Sequence, residues 1–495
     1  MPTNRRTKQY LVYSTLGAVV ILYGALLLTG AKLQQFFGTQ AWGSLLYANM
    51  WEHIIHGNLL VDPKYGPGEY FITAPGRFVV YFGVMPSLVR GAAALFAPAM
   101  YSYGLANVSM LLAMLLAVGS VGYAVRQLAP YGRTGHRLGF TLVAAVLVAS
   151  PMTYLLTWSW TYHEVILWGL AWTLLFVSLY AVWMFGKKRP QPWQGGLMGL
   201  AVGMSMLCRP TMGLLVSIPF GFLVVHAIIR WLRQHDHSEL KRLLPGITIC
   251  ACLAVLVLIV NYQRWGSPLT FVRLNQNVQF VNLYPQRRAD IERAGEFNIT
   301  RLPFSVYYYL VPSGGNITGR FPFVTPDREL TLMNHAPQYD YIEGSRVPII
   351  LSMPYIILLA ILGAIALHTF KKSEQLAAWW LLAGGGTAAL ALCTVYAVAL
   401  RYSAELMPAF VFLALAYLAA LQRKTVAMPG VKLTITFVVV GVMSLYIAFA
   451  TTLAYKEFVW DVPQIDRQNL REFLHYAPRG DETKHIIDGV RFPIY

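Results

Sequence analysis

The chain has 495 residues, of which 56% are hydrophobic and only 12% are charged, and its mean hydropathy is +0.50. A soluble globule of this length needs more charged surface, so the composition predicts an integral membrane protein. The formal net charge of +17 does not indicate nucleic acid as a partner, because much of the excess lies in short loops between apolar segments, where it meets membrane lipids.

About eleven apolar segments approach the roughly 20 residues that a spanning helix needs. They lie at 11–31, 103–124, 138–158, 163–184, 196–208, 211–229, 243–263, 347–369, 376–398, 404–421 and 433–454. We therefore predict an all-α polytopic membrane protein with about 11 transmembrane helices in residues 1–454, followed by a tail in residues 455–495.

Basic residues cluster on one side of these segments, as in Arg5-Arg6, Lys187–Arg189 and Lys371-Lys372. By the positive-inside rule this side is the cytoplasm, which also holds the N terminus. The larger loops, at about 32–98 and 266–346, and the C-terminal tail then lie outside the membrane, which we expect to be a bacterial plasma (inner) membrane.

The first outer loop contains two segments that we predict to be interfacial helices. Residues 42–57 place large apolar side chains at helical spacing, which favours a helix along the membrane surface. The apolar run 78–96 resembles a span, but Pro86 and Arg90 interrupt it, and a crossing there would reverse the alternation of basic loops.

Acidic residues in this loop are candidates for a general base. Proline and glycine between Asp62 and Glu69 exclude a regular helix, so both carboxylates lie on an irregular loop beside the membrane. A carboxylate in such a place can accept the proton of a hydroxyl group. The alternative is that Asp62 caps the loop through its own backbone and Glu69 is solvated.

The second outer turn carries Tyr162, His163 and Glu164 at the start of an apolar segment. Its aromatic residues alone would fit an interfacial belt. Ionisable groups at this depth usually face a cavity or a partner. We therefore predict that Tyr162 and His163 contact substrate and that Glu164 orients the acceptor or stabilises the base.

Five arginines lie on the predicted outer side, where the positive-inside rule gives no reason for them: Arg77, Arg209, Arg301, Arg320 and Arg401. A guanidinium binds phosphate bidentately and stays ionised, so the set predicts an anionic ligand such as a lipid phosphate. Arg209 and Arg401 are the strongest candidates, since both lie at breaks between apolar segments. For Arg77 and Arg301 a salt bridge or a head-group contact fits at least as well.

With these residues the chain resembles the GT-C class of glycosyltransferases, multispanning enzymes that transfer sugar from a polyprenyl-phosphate carrier outside the membrane. The resemblance covers the layout of one span, an acid-bearing outer loop with interfacial helices, many further spans and an outer C-terminal region. The phrases that carry it are His56-Gly-Asn-Leu-Leu-Val-Asp62-Pro with Glu69, Gly76-Arg77-Phe-Val-Val-Tyr81, Tyr162-His-Glu164, Cys208-Arg209-Pro210, Asn261-Tyr-Gln-Arg-Trp-Gly-Ser-Pro268, Arg301-Leu-Pro-Phe and Arg401-Tyr-Ser-Ala-Glu-Leu-Met-Pro408.

The resemblance implies an inverting transfer of a hexosyl or pentosyl group. A carboxylate takes the proton of the acceptor hydroxyl, outer arginines hold the departing polyprenyl phosphate, and the acceptor is a glycan, a lipid or a protein. Many GT-C enzymes carry an acid soon after the first span, whereas residues 31–50 contain no Asp or Glu. The base is then Asp62, our first choice, or Glu69, Glu164 or Glu52. No residue cluster indicates a metal site, and a divalent metal is compatible with this reaction.

Two other classes of function compete with this hypothesis. A transporter or flippase of a lipid-linked substrate would also need many spans and buried arginines, but it should place charges near mid-membrane on broken helices. Most of the charged candidates here cluster at the predicted outer ends of spans. A non-catalytic assembly factor would leave the acidic loop and the His163-Glu164 pair without a role.

The topology can be tested with reporter fusions. An odd number of predicted spans separates Arg242 from Pro463, so fusions after these two residues should report opposite sides of the membrane. A periplasmic phosphatase and a cytoplasmic fluorescent protein, each fused at both positions, provide matched readouts. The same side at both positions would contradict the odd number of spans predicted between them.

Overall fold

The computed structural model describes residues 17–29, 45–65, 70–96, 105–130, 132–157, 159–274, 285–313, 316, 341–342 and 346–458. Glu69, Arg320 and the chain beyond residue 458, on which three of the predictions fall, lie outside the described residues.

The described residues are predominantly helical, as predicted. The helices are α1 (Gly17–Thr29), α2 (Leu46–Ile55), α3 (Met85–Phe96), α4 (Leu105–Leu128), α5 (Arg133–Val148), α6 (Pro151–Leu155), α7 (Thr161–Phe185), α8 (Pro192–Cys208), α9 (Pro210–Gln234), α10 (Ser238–Trp265), α11 (Pro285–Ala294), α12 (Leu302–Leu310), α13 (Ile349–Ser352), α14 (Pro354–Ala366), α15 (Lys372–Thr394), α16 (Met407–Gln422) and α17 (Val431–Phe458). Single turns of 3₁₀ helix occupy Pro63–Tyr65, Ile299–Arg301 and Leu367–Thr369, and a longer one occupies Leu400–Glu405.

Strands are few and short in the described part of the chain. β1 (Phe71–Ala74) and β2 (Arg77–Val79) form an antiparallel hairpin in which Phe71 pairs with Val79. β3 (Tyr341–Ile342) pairs in parallel with β4 (Ala397–Val398). Gly76, at the turn of the hairpin, has φ +72°, a conformation that glycine adopts without strain.

Eight helical stretches of the described residues are long and apolar enough to cross a membrane, which makes the chain an integral membrane protein. Two of them are composite: α5 continues into α6, and the Leu400–Glu405 turn continues into α16. The eight stretches correspond to eight of the predicted segments, and the other three overlap the shorter helices α1, α8 and α14. The predicted fold class is confirmed, while the exact number of spans stays a prediction. The run 78–96 contains α3, whose 12 residues are too few to cross.

Helix α7 lies at the centre of the bundle. It is buried along almost its whole length and packs against α4, α8 and α16. Such a helix is apolar all round because protein surrounds it on every side. The start of α7 therefore fixes where the polar residues Tyr162, His163 and Glu164 lie.

Helices α8 and α10 pack through glycine. Gly195, Gly199 and Gly203 recur every four residues and so share one face of α8. A Cβ atom added to Gly199 would lie 2.0 Å from the carbonyl oxygen of Gly246 on α10. Small residues of this kind let two membrane helices approach backbone to backbone.

We expect Gly199→Leu to destabilise the protein, because no side chain fits between the two backbones. Overpacking of this kind costs about 1–3 kcal/mol or more. The thermal unfolding midpoint of the full chain in detergent measures the effect. Gly221→Leu on α9 is the matched control, since a Cβ atom there meets nothing within 4 Å. Equal midpoints for the two variants would contradict close packing of α8 and α10.

Candidate functional site

A cavity of about 480 Å³ lies where several helix ends meet. Its wall includes Tyr81–Val84 after β2, the α8–α9 turn, the end of α10 and the segment after α15. Gly83 fits this wall closely, because a Cβ atom there would lie 2.2 Å from the carbonyl oxygen of Cys208. The cavity is mostly apolar, and its charged lining residues are Arg209, Arg264 and Glu296.

Arg209 joins two breaks in the helical bundle. It lies between α8 and α9, and its Nε is 2.6 Å from Oε1 of Glu405, at the end of the Leu400–Glu405 turn. Glu405 is fully buried and also accepts a hydrogen bond from the hydroxyl of Thr211. A guanidinium has five N–H donors, so Arg209 has donor capacity for a cavity ligand beyond this ion pair.

Arg401 lies beside the same aromatic ring as Arg209 but not on the cavity wall. The centres of the two guanidinium groups are 5.4 and 4.6 Å from the ring of Tyr402. Arg401 is also 4.5 Å from the ring of Tyr162. The structure therefore brings the two predicted phosphate ligands together, with only Arg209 among the lining residues.

Tyr162 and His163 form part of a layer behind the wall. The ring of Tyr162 packs edge-on against Phe82, which lines the cavity, at 4.8 Å between ring centroids. His163 is fully buried, with its ring 5.7 Å from that of Trp160. Both residues can support the wall, and neither is among those that line the cavity.

The structure adds Arg264, which the sequence analysis did not select. Arg264 is the next-to-last residue of α10, is 5% exposed, and has its Nη2 3.7 Å from the sulfur of Met50. Among the described residues no carboxylate forms an ion pair with it, and its Nε has no hydrogen-bond partner. The sequence could have indicated Arg264, because it lies in the phrase Asn261 to Pro268 at the predicted outer end of a span, as the selected arginines do.

Asp62, the first choice for the base, joins its loop to α2. Its Oδ2 accepts a hydrogen bond from Asn49 Nδ2 at 2.9 Å, and its backbone N–H donates to Asn49 Oδ1 at 2.8 Å. His53 Nε2 is 3.7 Å from Oδ1. Glu52 is exposed and is 3.4 Å from Asn49 Nδ2. Neither carboxylate lines the cavity, and the side chain of Asp62 contacts Asn49 and His53 of α2.

Glu164 forms a buried ion pair with Arg90 of α3. Arg90 Nη2 is 2.5 Å from Oε2 and Nε is 3.3 Å from Oε1, so the contact is bidentate. Both side chains are almost completely buried. Arg90, which the sequence analysis used only as an interruption of an apolar run, is therefore the partner that anchors α3 to α7.

Two further arginines of the predicted phosphate-binding set, Arg301 and Arg77, lie in different surroundings. Arg301 is 1% exposed and donates hydrogen bonds to the carbonyl oxygens of Gly295, Glu296 and Thr394 at 2.7, 2.9 and 3.1 Å. It fastens the loop after α11 to the end of α15. Arg77 is exposed on β2. Neither lines the cavity.

Metal ligands are not grouped in the described part of the chain, where no cluster of three or more His, Cys, Asp or Glu side chains could hold an ion. His53 and His56, which share a helical spacing, turn to different partners. His53 Nδ1 is 3.0 Å from Asn58 Oδ1, and His56 Nδ1 is 2.7 Å from the carbonyl oxygen of Glu52.

The Arg90–Glu164 pair predicts a specific pattern of stability. Removing one partner leaves an uncompensated buried charge, so Arg90→Met and Glu164→Gln should each cost about 3–5 kcal/mol of unfolding free energy. The double variant should lose much less than the sum, because neither charge remains. Thermal unfolding in detergent measures this.

Asp236→Ala is the control, since the side chains of its ion pair with Arg230 are 30% and 38% exposed, and a pair that water reaches should contribute at most about 1 kcal/mol. Additive losses in the Arg90 and Glu164 variants would contradict the coupling.

Comparison with known proteins supports the fold. No protein-family model and no curated protein sequence matches the chain. The solved structure of the oligosaccharyltransferase AglB from Archaeoglobus fulgidus, in complex with an inhibitory peptide and a dolichol-phosphate, aligns with 99% of this chain at a TM-score of 0.50 and 14% identity. The apo form of the Archaeoglobus fulgidus oligosaccharyltransferase aligns with 97% of this chain at a TM-score of 0.46 and 14% identity.

This chain spans 62% of the length of AglB and 61% of the apo form. At these identities the comparison establishes the fold. The chain shares the fold of the archaeal oligosaccharyltransferase AglB, and the predicted resemblance to GT-C glycosyltransferases is confirmed at that level.

Proposed function

We propose that the chain is a membrane glycosyltransferase that moves a sugar from a polyprenyl-phosphate carrier to an acceptor hydroxyl on the extracytoplasmic side. The observation that carries the proposal is that Arg209 and Arg264 both line one largely apolar cavity. The fold shared with AglB, whose structure contains a dolichol-phosphate, supports it.

The carrier phosphate binds to the two arginines on the wall. Arg209 is already balanced by Glu405, whereas Arg264 is buried with no carboxylate partner among the described residues. A buried charge is costly unless it is paired, so Arg264 favours an anion in the cavity. Arg401, which we also predict to act on the phosphate, contributes through Tyr402, whose ring both Arg209 and Arg401 contact.

The apolar part of the wall suits the carrier chain. Val257 and Val260 of α10 line the cavity together with Phe271 and Val272 of the following loop. An isoprenoid chain that leaves the bilayer beside these residues would stay out of water. The cavity thus combines a place for a phosphate with a place for the first isoprene units, which is the combination a polyprenyl phosphate requires.

The reaction is a single displacement at the sugar C1. The acceptor oxygen forms a bond to C1, the bond from C1 to the phosphate oxygen breaks, and its electron pair goes to the polyprenyl phosphate. Attack from the face opposite the phosphate inverts the configuration at C1. A carboxylate takes the hydroxyl proton. Arginines on the phosphate stabilise the leaving group, because its negative charge increases as the bond breaks.

The finer parts of this proposal rest on the sequence. Asp62, Glu69, Glu164 and Glu52 stay predictions for the carboxylate, and the identity of the sugar and of the acceptor glycan, lipid or protein follows from no observed contact. A divalent metal stays compatible with the reaction. Among the described residues, no group of three or more His, Cys, Asp or Glu side chains could hold such an ion.

We expect Arg264→Met to weaken binding of a polyprenyl phosphate by about 10-fold or more, because a charge-assisted hydrogen bond is lost. Farnesyl phosphate is the probe, and farnesol, which lacks the phosphate, is its matched partner. Binding to the full chain in detergent should favour farnesyl phosphate over farnesol in the wild type, and this preference should be much smaller in the variant, which keeps only Arg209. The melting temperature should stay the same or rise, since an unpaired buried charge has been removed.

Arg126→Met, at an exposed position of α4, is the control and should bind farnesyl phosphate as the wild type does. Release of labelled sugar from polyprenyl-phosphate hexoses and pentoses in liposomes then tests transfer itself. Equal affinity of the wild type for farnesyl phosphate and farnesol would contradict a phosphate site. Movement of the intact donor between leaflets without cleavage would favour a flippase.

A further inference from the structure

Among the described residues that line the cavity, Glu296 is the one carboxylate. It lies two residues beyond α11, in the loop that follows α10, and so reaches the cavity from a different part of the chain than Arg209 and Arg264. The cavity therefore combines two cationic groups with one group that can accept a proton.

Several contacts fix the backbone on both sides of Glu296. Arg301 donates hydrogen bonds to the carbonyl oxygens of Gly295 and Glu296 and also to that of Thr394 at the end of α15. The backbone N–H of Asn298 donates to the same Thr394 oxygen at 2.8 Å, and Phe297 forms a β-bridge with Val395. These contacts hold the loop against the end of α15. A catalytic group must be held in a fixed position, and a backbone fixed on both sides provides this.

The surroundings of the carboxylate favour proton acceptance. Partial burial raises the pKa of Glu296 above its ordinary value, and a hydrogen bond from the backbone N–H of Leu274 lowers it by a smaller amount. A base is more effective when its pKa approaches the working pH, so burial improves this carboxylate as a proton acceptor. The Leu274 hydrogen bond fixes the carboxylate to the loop whose residues 269–272 line the same cavity.

Three other buried or partly buried acids among the described residues are bound to side-chain partners. Glu164 is paired with Arg90, Asp62 is bonded to Asn49, and Glu405 is paired with Arg209. None of the three is among the residues that line the cavity. A base must come within hydrogen-bond reach of the proton that it takes, so position on the wall decides between them.

We propose that Glu296 is the catalytic residue that takes the proton of the acceptor hydroxyl, an inference that rests on the proposed function. The O–H bond of the acceptor breaks and its proton goes to a Glu296 oxygen. The acceptor oxygen bonds to C1 of the sugar as the bond from C1 to phosphate breaks. The polyprenyl phosphate leaves with that electron pair, held at Arg264 and Arg209, and Glu296 then returns the proton to water.

The test compares Glu296→Gln with Glu292→Gln in the full chain. Gln keeps the shape of Glu and cannot accept the proton, so sugar release from polyprenyl-phosphate donors should fall about 10²–10⁴-fold in Glu296→Gln. Binding of farnesyl phosphate should change by less than about 3-fold, since the arginines remain. Glu292 is exposed on α11, four residues before Glu296 and away from the cavity wall, and its variant should keep wild-type release.

Chemical rescue separates a base from a structural group. In Glu296→Ala, added formate should restore part of the sugar release, because it supplies a carboxylate in the space left by the side chain. Formate should not restore release in Arg264→Met.

The outcomes distinguish this inference from the function on which it rests. If the wild type released sugar and Glu296→Gln released it at a similar rate, Glu296 would not be the base while the proposed function would stand. If Asp62→Asn abolished sugar release and Glu296→Gln did not, the base would be Asp62. If the wild type released no sugar from any hexose or pentose donor, the proposed function would be overturned and this inference with it.

Discussion

The ion pair between Arg209 and Glu405 is the contact on which the site depends. It joins the turn between α8 and α9 to the 3₁₀ turn before α16, two places where the α-helical path is interrupted. At such breaks backbone and side-chain polar groups lose the partners that a continuous helix would give them, and in a membrane protein they must be satisfied within the structure. Glu405 meets this need for Arg209 and Thr211 together, and the joined breaks form one wall of the cavity.

Buried charges in this protein divide by whether they have a partner. The Arg90–Glu164 pair is bidentate and inaccessible, and Arg301 is committed to backbone carbonyls, so both serve to hold elements together. Arg264 is also buried, but among the described residues its guanidinium contacts the sulfur of Met50 and forms no ion pair with a carboxylate. Because leaving such a charge without an anion is costly, Arg264 is the group that best indicates what the cavity binds.

The positions of the helices could be predicted from the sequence more reliably than the contacts of the candidate site residues. The predicted break at Arg209 is present between α8 and α9, and the helix in the run 78–96 is too short to span, as expected from Pro86 and Arg90. The candidate acids were chosen by position along the chain, and the described ones, Asp62, Glu52 and Glu164, lie away from the cavity wall. Glu296 was not selected, since it follows a polar helix in a long loop and nothing local distinguishes it from other loop acids.

The sequence by itself determined the class of protein, the approximate positions of the spans and the surplus of arginines at one predicted side. Each of these follows from local properties, namely apolar length and the side on which charges lie. Only the tertiary structure decided that Arg90 meets Glu164, that Arg209 meets Glu405, and that Arg264 and Glu296 share a cavity. Those choices depend on which helix ends pack together, and close packing, such as that of Gly199 against Gly246, involves residues far apart in the chain.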